Sequence, residues 1–179
     1  MGTNVAFISA DGIWSEQLIH ALSLEPKADT DNIGGGKKST VLLVEARERK
    51  YMICDYDWKI ASDEVKLAAL SKLCQVYTVG IVDTCNYAEA SAWLDGKRLW
   101  KISYSQDDGK FDISGTPPDV FSDMKEKFQA HYKIAPDEST TTWCELPKQL
   151  FYYHTGYLVD RSSFRGKISK SYKVMDYNS

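Results

Sequence analysis

The dipeptide Asp95-Gly96 constrains this chain more than any other feature. It sits within A-W-L-D-G-K-R-L-W-K-I-S-Y, Ala92 to Tyr104, between two strand-like runs. Both central residues of a type I′ turn need positive φ, which Asp-Gly tolerates, so the segment predicts a two-residue β-hairpin. Regular pairing from that turn sets Leu94 opposite Lys97, Trp93 opposite Arg98 and Ser91 opposite Trp100. Because side chains alternate along a strand, Trp93, Arg98, Trp100, Ile102 and Tyr104 are expected on one face. Ala92, Leu94, Leu99, Lys101 and Ser103 then form a lighter, mixed face. Aromatic alternation favours a core, so Trp100 and Ile102 are expected inside. A guanidinium covers an indole more readily at an edge than in a core. The hairpin tip, Trp93 with Asp95 to Arg98, is therefore expected to be exposed.

The flanking sequence supplies the rest of an α+β plan. Asn4 to Ser9 reads as a short buried strand. Ser15 is positioned to cap a helix running to about Leu24, with Trp14 stapled onto Ile19. After a polar loop, Thr40 to Ala46 and Lys50 to Tyr56 read as two strands of a hairpin. Ser62 to Cys74 reads as a helix that buries Val65, Ala69 and Leu73, and Tyr77 to Asp83 as another strand. This order (strand, helix, strand, strand, helix, strand) is the split βαβ pattern of ferredoxin-like sheets. Beyond the Asp95-Gly96 hairpin, Asp107-Asp108-Gly109 turns the chain into K-F-D-I-S. Pro117-Pro118-Asp119 opens a helix with Val120, Phe121, Met124 and Phe128 at helical spacing. Pro147 and Gly156 bracket a last helix. The expected fold is α+β: a largely antiparallel sheet with helices on at least one face. It forms a single domain over residues 1–160, followed by a basic tail over 161–179.

Composition is that of an ordinary globular domain, with 179 residues, 43% hydrophobic and 26% charged. The opening M-G-T-N-V-A-F-I-S-A-D-G has no basic n-region and only a short apolar run, so neither a leader nor a membrane span is expected. A net charge of −3 names no partner. Its distribution is uneven. Acids gather between Glu45 and Glu64, diluted by Arg47, Arg49, Lys50 and Lys59, while Arg161 to Lys173 carries five basic residues and no acid.

Motifs for chemistry are tested and fail. G-G-G-K-K-S-T, Gly34 to Thr40, lacks the spacing and the strand-loop-helix context of a phosphate loop. Cys54, Cys74, Cys85 and Cys144 form no C-x-x-C pair and read as reduced thiols. His20, His131 and His154 fall on separate elements. The Asp107 turn lacks the ligands of a calcium loop, and no G-x-S-x-G elbow occurs. No catalytic residue, metal or cofactor is expected.

From about Ser62 to Asp160, a little over half the chain, three segments carry a resemblance. They are W-L-D-G-K-R-L-W-K-I-S-Y (Trp93 to Tyr104), G-T-P-P (Gly115 to Pro118) and L-P-K-Q-L-F-Y-Y-H-T-G-Y (Leu146 to Tyr157). Their order resembles that of small bacterial proteins, some of which are immunity proteins of polymorphic toxin systems, including contact-dependent growth inhibition. The resemblance implies a cytoplasmic, non-enzymatic protein that binds a cognate toxin domain, often a nuclease, and blocks its active site or substrate access. Basic nuclease clefts favour acidic and aromatic contacts. Glu48, Asp55, Asp57, Trp58, Trp93 and Arg98 are the expected toxin-binding residues. The alternative is a nucleic-acid-associated protein using the basic tail. A third class, a small enzyme built from scattered residues, would need a deep pocket with perturbed titratable groups.

Overall fold

The computed structural model describes residues 4–26, 40–56, 58–159 and 169–174. In chain order these form β1 (Asn4–Asp11), α1 (Ser15–Ala21), β2 (Leu24–Pro26), β3 (Thr40–Arg47), β4 (Lys50–Asp55) and α2 (Glu64–Ser71). There follow β5 (Gln75–Val82), β6 (Tyr87–Leu94), β7 (Lys97–Ser105), β8 (Lys110–Gly115), α3 (Val120–Tyr132), α4 (Glu145–Thr155) and β9 (Ser169–Val174). The described strands make one sheet in the order β2-β9-β3-β4-β1-β5-β6-β7-β8, with every neighbouring pair antiparallel.

The central run β3-β4-β1-β5 has the split βαβ arrangement. β1 lies between β4 and β5, α1 leads from β1 toward β3, and α2 connects β4 to β5. The β6-β7-β8 meander extends this unit on one side. On the other side β9 pairs with both β2 and β3. The sheet therefore takes in Ser169–Val174, beyond the boundary expected at residue 160. Basic composition disguised this strand, which is defined by backbone pairing to two neighbours.

Both faces of the sheet are packed. On one face Ala6, Ile8, Ile53 and Val76 meet Leu18 and Leu22 of the α1 region and Leu67 and Leu70 of α2. On the other, Phe7, Met52 and Val79 meet Phe151 of α4. On that second face Ala88, Ala90, Ala92, Trp100, Ile102 and Tyr104 also pack with Phe121, Trp143 and Leu150. Alanines on β6 leave room for α4 to lie close over the strand.

The structure corrects three local expectations. Trp14, not Ser15, is the N-cap of α1, and its N–H donates to Gln17 Oε1 at 3.3 Å. Its indole is half exposed and lies 5.0 Å from the Arg49 guanidinium. The core face of α2 is Leu67, Leu70 and Ser71, while Val65 and Leu73 are exposed and Ala69 faces out. Apolar residues occur all round this helix, so periodicity could not choose the face. Burying Leu67 and Leu70, at about 1.5–3 kcal/mol each, decided it. Asp63 caps the helix, accepting from Val65 N at 3.1 Å and Lys66 N at 3.0 Å.

The third correction is to register. Leu94 pairs with Lys97 and Trp93 with Arg98, as expected, but a β-bulge follows and Trp100 lies opposite Ala92 rather than Ser91. The extra residue, Leu99, flips all of β7 beyond it relative to the tip. Trp93 therefore packs with the α1/α2 core, and Trp100, Ile102 and Tyr104 with the α3/α4 core.

Candidate partner-binding face

Cross-strand pairing builds the candidate site. One row runs Asp55, Ala6, Gly80, Glu89, Ser103, Asp112 from β4 to β8. A neighbouring row runs Thr78, Ser91, Lys101, Ser114, and another Val82, Tyr87, Ser105, Lys110. Over β6–β8 this face is polar: Tyr87, Glu89, Ser91, Lys101, Ser103, Asp112 and Ser114. α2 lies over its hairpin end, where Asp95 N donates to Ser71 O at 2.9 Å and Gly96 N to Ser71 Oγ at 3.0 Å. Beyond α2, no other described helix is laid across it.

The side chains on this face hold one another in place. The Tyr87 hydroxyl donates to Glu89 Oε2 at 2.5 Å, and Lys101 Nζ lies 2.7 Å from the same carboxylate oxygen. Burial first, then the hydrogen bond to Glu89, pushes the Tyr87 phenol well above its ordinary range, so it remains a donor. Deeper in, Thr78 Oγ1 and Ser91 Oγ share a 2.7 Å hydrogen bond, and Trp93 Nε1 donates to Ser91 Oγ at 2.9 Å. Asp112, Ser114 and Lys110 are exposed along the β8 edge.

At one end stands Trp58. Its φ of +57° is left-handed, and its indole lies flat on Gly80, where an added Cβ would fall 2.1 Å from the ring. Its ring centroid is 6.5 Å from that of Tyr87. Asp55 holds the loop in this shape. Its carboxylate accepts from Lys59 N at 3.3 Å, Ile60 N at 2.7 Å and Ala61 N at 3.0 Å. The Trp58 indole N–H is buried with no hydrogen-bond partner among the described residues.

The expected site residues are thus sorted by geometry. Trp58, Trp93 and Arg98 lie on the same sheet face, Trp58 over Gly80 and the other two at the hairpin end. Trp93 is buried, however, so the expected exposed anchor at the hairpin tip is not there. Arg98 caps it at 5.6 Å and pairs with Glu64. Asp55 is buried and acts on Trp58 through the loop rather than offering its carboxylate to a partner. Glu48 is exposed in the β3–β4 turn, at the opposite end of β4 from Asp55, a strand length of roughly 20 Å away. It does not join the face. Asp57 lies outside the described residues, as do most of Gly34 to Thr40 and most of the basic tail.

Sequence reasoning missed Tyr87, Glu89, Lys101 and Asp112. The signal was present in Y-A-E-A-S-A-W, Tyr87 to Trp93, where alanine alternates strictly with polar or aromatic residues. That period-2 pattern marks a strand with one packed and one polar face.

This chain matches no known protein family model, and no curated protein or solved structure matches it significantly. The site must be judged on its own chemistry. A cleft of about 350 Å³ beside the face is lined by Asp83, Lys148 and Cys144. Its thiol donates to Asn86 O at 2.8 Å, and burial pushes its pKa up to about 11, the reverse of an activated nucleophile. Cys54, Cys74 and Cys144 are free thiols. Among the described residues, no group of three His, Cys, Asp or Glu side chains is arranged to hold a metal ion. No described helix is long and apolar enough to cross a membrane.

Proposed function

We propose that this protein is an immunity protein that neutralises a cognate toxin domain, acting in the cytoplasm, and that the toxin docks on the polar face of β6–β8. The observation that carries this reading is that face itself. It is a rigid strand surface in which Tyr87, Glu89 and Lys101 are already fixed by mutual hydrogen bonds, and Trp58 stands at its margin. Side chains ordered before binding lose little entropy on association, and aromatic anchors beside fixed charges are typical of binding hot spots.

Charge favours a protein over a nucleic acid as the partner. Lys101, Arg98 and Lys110 alternate with Glu89 and Asp112 instead of forming a basic track, and Lys101 and Arg98 are already paired with carboxylates. A phosphate backbone needs unpaired positive charge. A toxin with a basic cleft would meet Asp112 at the exposed β8 edge of the face, with Glu89 further in.

Co-expression with the toxin encoded beside this gene tests the proposal. Cells carrying both should grow, and cells carrying the toxin alone should die. Equal killing with and without this protein would reject it. Protection that survives simultaneous Tyr87→Ala and Asp112→Lys changes would reject the face while leaving the function standing.

A further inference from the structure

Trp58 keeps its place over Gly80 against two local costs. Its φ of +57° is left-handed, a region where Cβ crowds the backbone and which bulky residues rarely enter. Its indole N–H is buried with no hydrogen-bond partner among the described residues, and water would satisfy it if the ring turned outward. Against these stands the packing of the ring on the bare Cα of Gly80. The loop adds restraint. Trp58 O accepts from Ser62 N at 3.0 Å and from Ser62 Oγ. The Asp55 carboxylate holds the next three N–H groups, of Lys59, Ile60 and Ala61. A strained backbone persists only where its surroundings over-determine it, and such residues gather at ligand and switch sites.

We propose that Trp58 is a two-position switch that regulates the polar face. In the docked position the ring rests on Gly80 and flanks Tyr87, with centroids 6.5 Å apart. In the released position φ is negative and the indole N–H is in water. Release leaves Gly80 bare and takes from Tyr87 its aromatic neighbour. The strands β4 and β5 are the same in both positions. The switch rests on the toxin-docking reading and supplies its regulation. A toxin that uses the docked ring draws the equilibrium toward it, and its apparent affinity scales with the docked fraction.

Fluorine NMR of the full chain labelled with fluorotryptophan reads both positions. The five tryptophans give five resonances, and Trp58→Phe assigns the one that matters. Gly80→Ala supplies the released reference. The wild-type Trp58 resonance should exchange on the microsecond-to-millisecond scale. Ser62→Ala removes one bond to Trp58 O and should shift the ratio toward release by about threefold or more. Adding the toxin domain encoded beside this gene should drive the resonance to its docked limit. The strained backbone has its own readout. Trp58→Gly should exceed Trp58→Ala by about fivefold or more in folding constant, the reverse of their order at an ordinary φ. A sharp Trp58 resonance without exchange, unmoved by Ser62→Ala, overturns the switch and leaves toxin docking standing. A higher folding constant for Trp58→Ala than for Trp58→Gly also overturns it, as does a toxin that binds without moving the equilibrium. Exchange in a chain that gives no protection upholds the two positions and rejects the docking reading.

Discussion

Trp93 and Trp100, seven positions apart on one hairpin, point to opposite faces of the sheet. Trp93 packs under α2 with its indole N–H on Ser91, while Trp100 lies 5.8 Å from His154 of α4. The bulge between them turns what would have been a single aromatic face into an anchor for each of two cores. It also leaves the face beyond Trp93 polar, with Ser91 and Ser103 buried within it and Asp112 and Ser114 exposed at its β8 edge.

Leu99 is the residue that creates this split, and it is itself partly exposed. Leu99→Ala keeps the residue count, so stability should change by less than about 1 kcal/mol. Deleting Leu99 restores regular pairing and drives Trp100, Ile102 and Tyr104 onto the polar face. The deletion variant should lose cooperative urea unfolding. A deletion variant that unfolds as sharply as the wild type would contradict the register.

Asp55 should behave as a structural residue. Asp55→Ala strips the acceptor from three backbone N–H groups, two of them at 2.7 Å and 3.0 Å, and should lower stability by roughly 2–4 kcal/mol. Glu48→Ala, at an exposed turn, should stay within about 0.5 kcal/mol. Chemical denaturation of both variants separates the two roles.

Gly80→Ala puts a methyl group into the Trp58 ring. The indole must leave the sheet, so tryptophan emission should shift to the red and accessibility to iodide should rise. Toxin affinity should fall with it, through faster dissociation. Unchanged emission would show that Trp58 does not rest on Gly80.

On the polar face, Tyr87→Ala should cost roughly 2 kcal/mol or more of toxin binding, as an aromatic anchor does. Asp112→Lys, at the exposed edge, should act mainly on the association rate and its salt dependence. Glu48→Lys should leave both untouched. Surface plasmon resonance at two ionic strengths distinguishes these outcomes.

His154 supplies a pH test. Burial against Tyr77, with ring centroids 4.9 Å apart, holds its pKa below the ordinary 6.5. As pH falls through the ordinary value, the unfolded chain takes up a proton that the folded one resists. Stability contributed by the neutral ring is therefore full above about pH 6.5 and declines as pH drops toward the lowered folded value. His154→Phe keeps the stacking and removes both the titration and a buried nitrogen that lacks a partner. Its urea midpoint should vary less than the wild type's between acid and neutral pH.

Local chemistry in the sequence was enough to place the Asp95-Gly96 turn, the β3–β4 hairpin, the βαββαβ order and the helices that follow Pro118 and end before Gly156. Each depends on residues adjacent in the chain: a dipeptide that accepts positive φ, a period of two, or a proline or glycine at a helix end. Three things depended on distant partners. The outward side of α2 was settled by which of its apolar stripes could reach β1 and β5. The bulge at Leu99 was settled by two cores that each needed a tryptophan from one hairpin. Asp55 became a loop anchor because the chain folds back over it and brings three N–H groups within reach. A carboxylate in an acidic stretch looks the same in sequence whether it faces solvent or a ring of backbone donors. Only the tertiary fold supplies those donors.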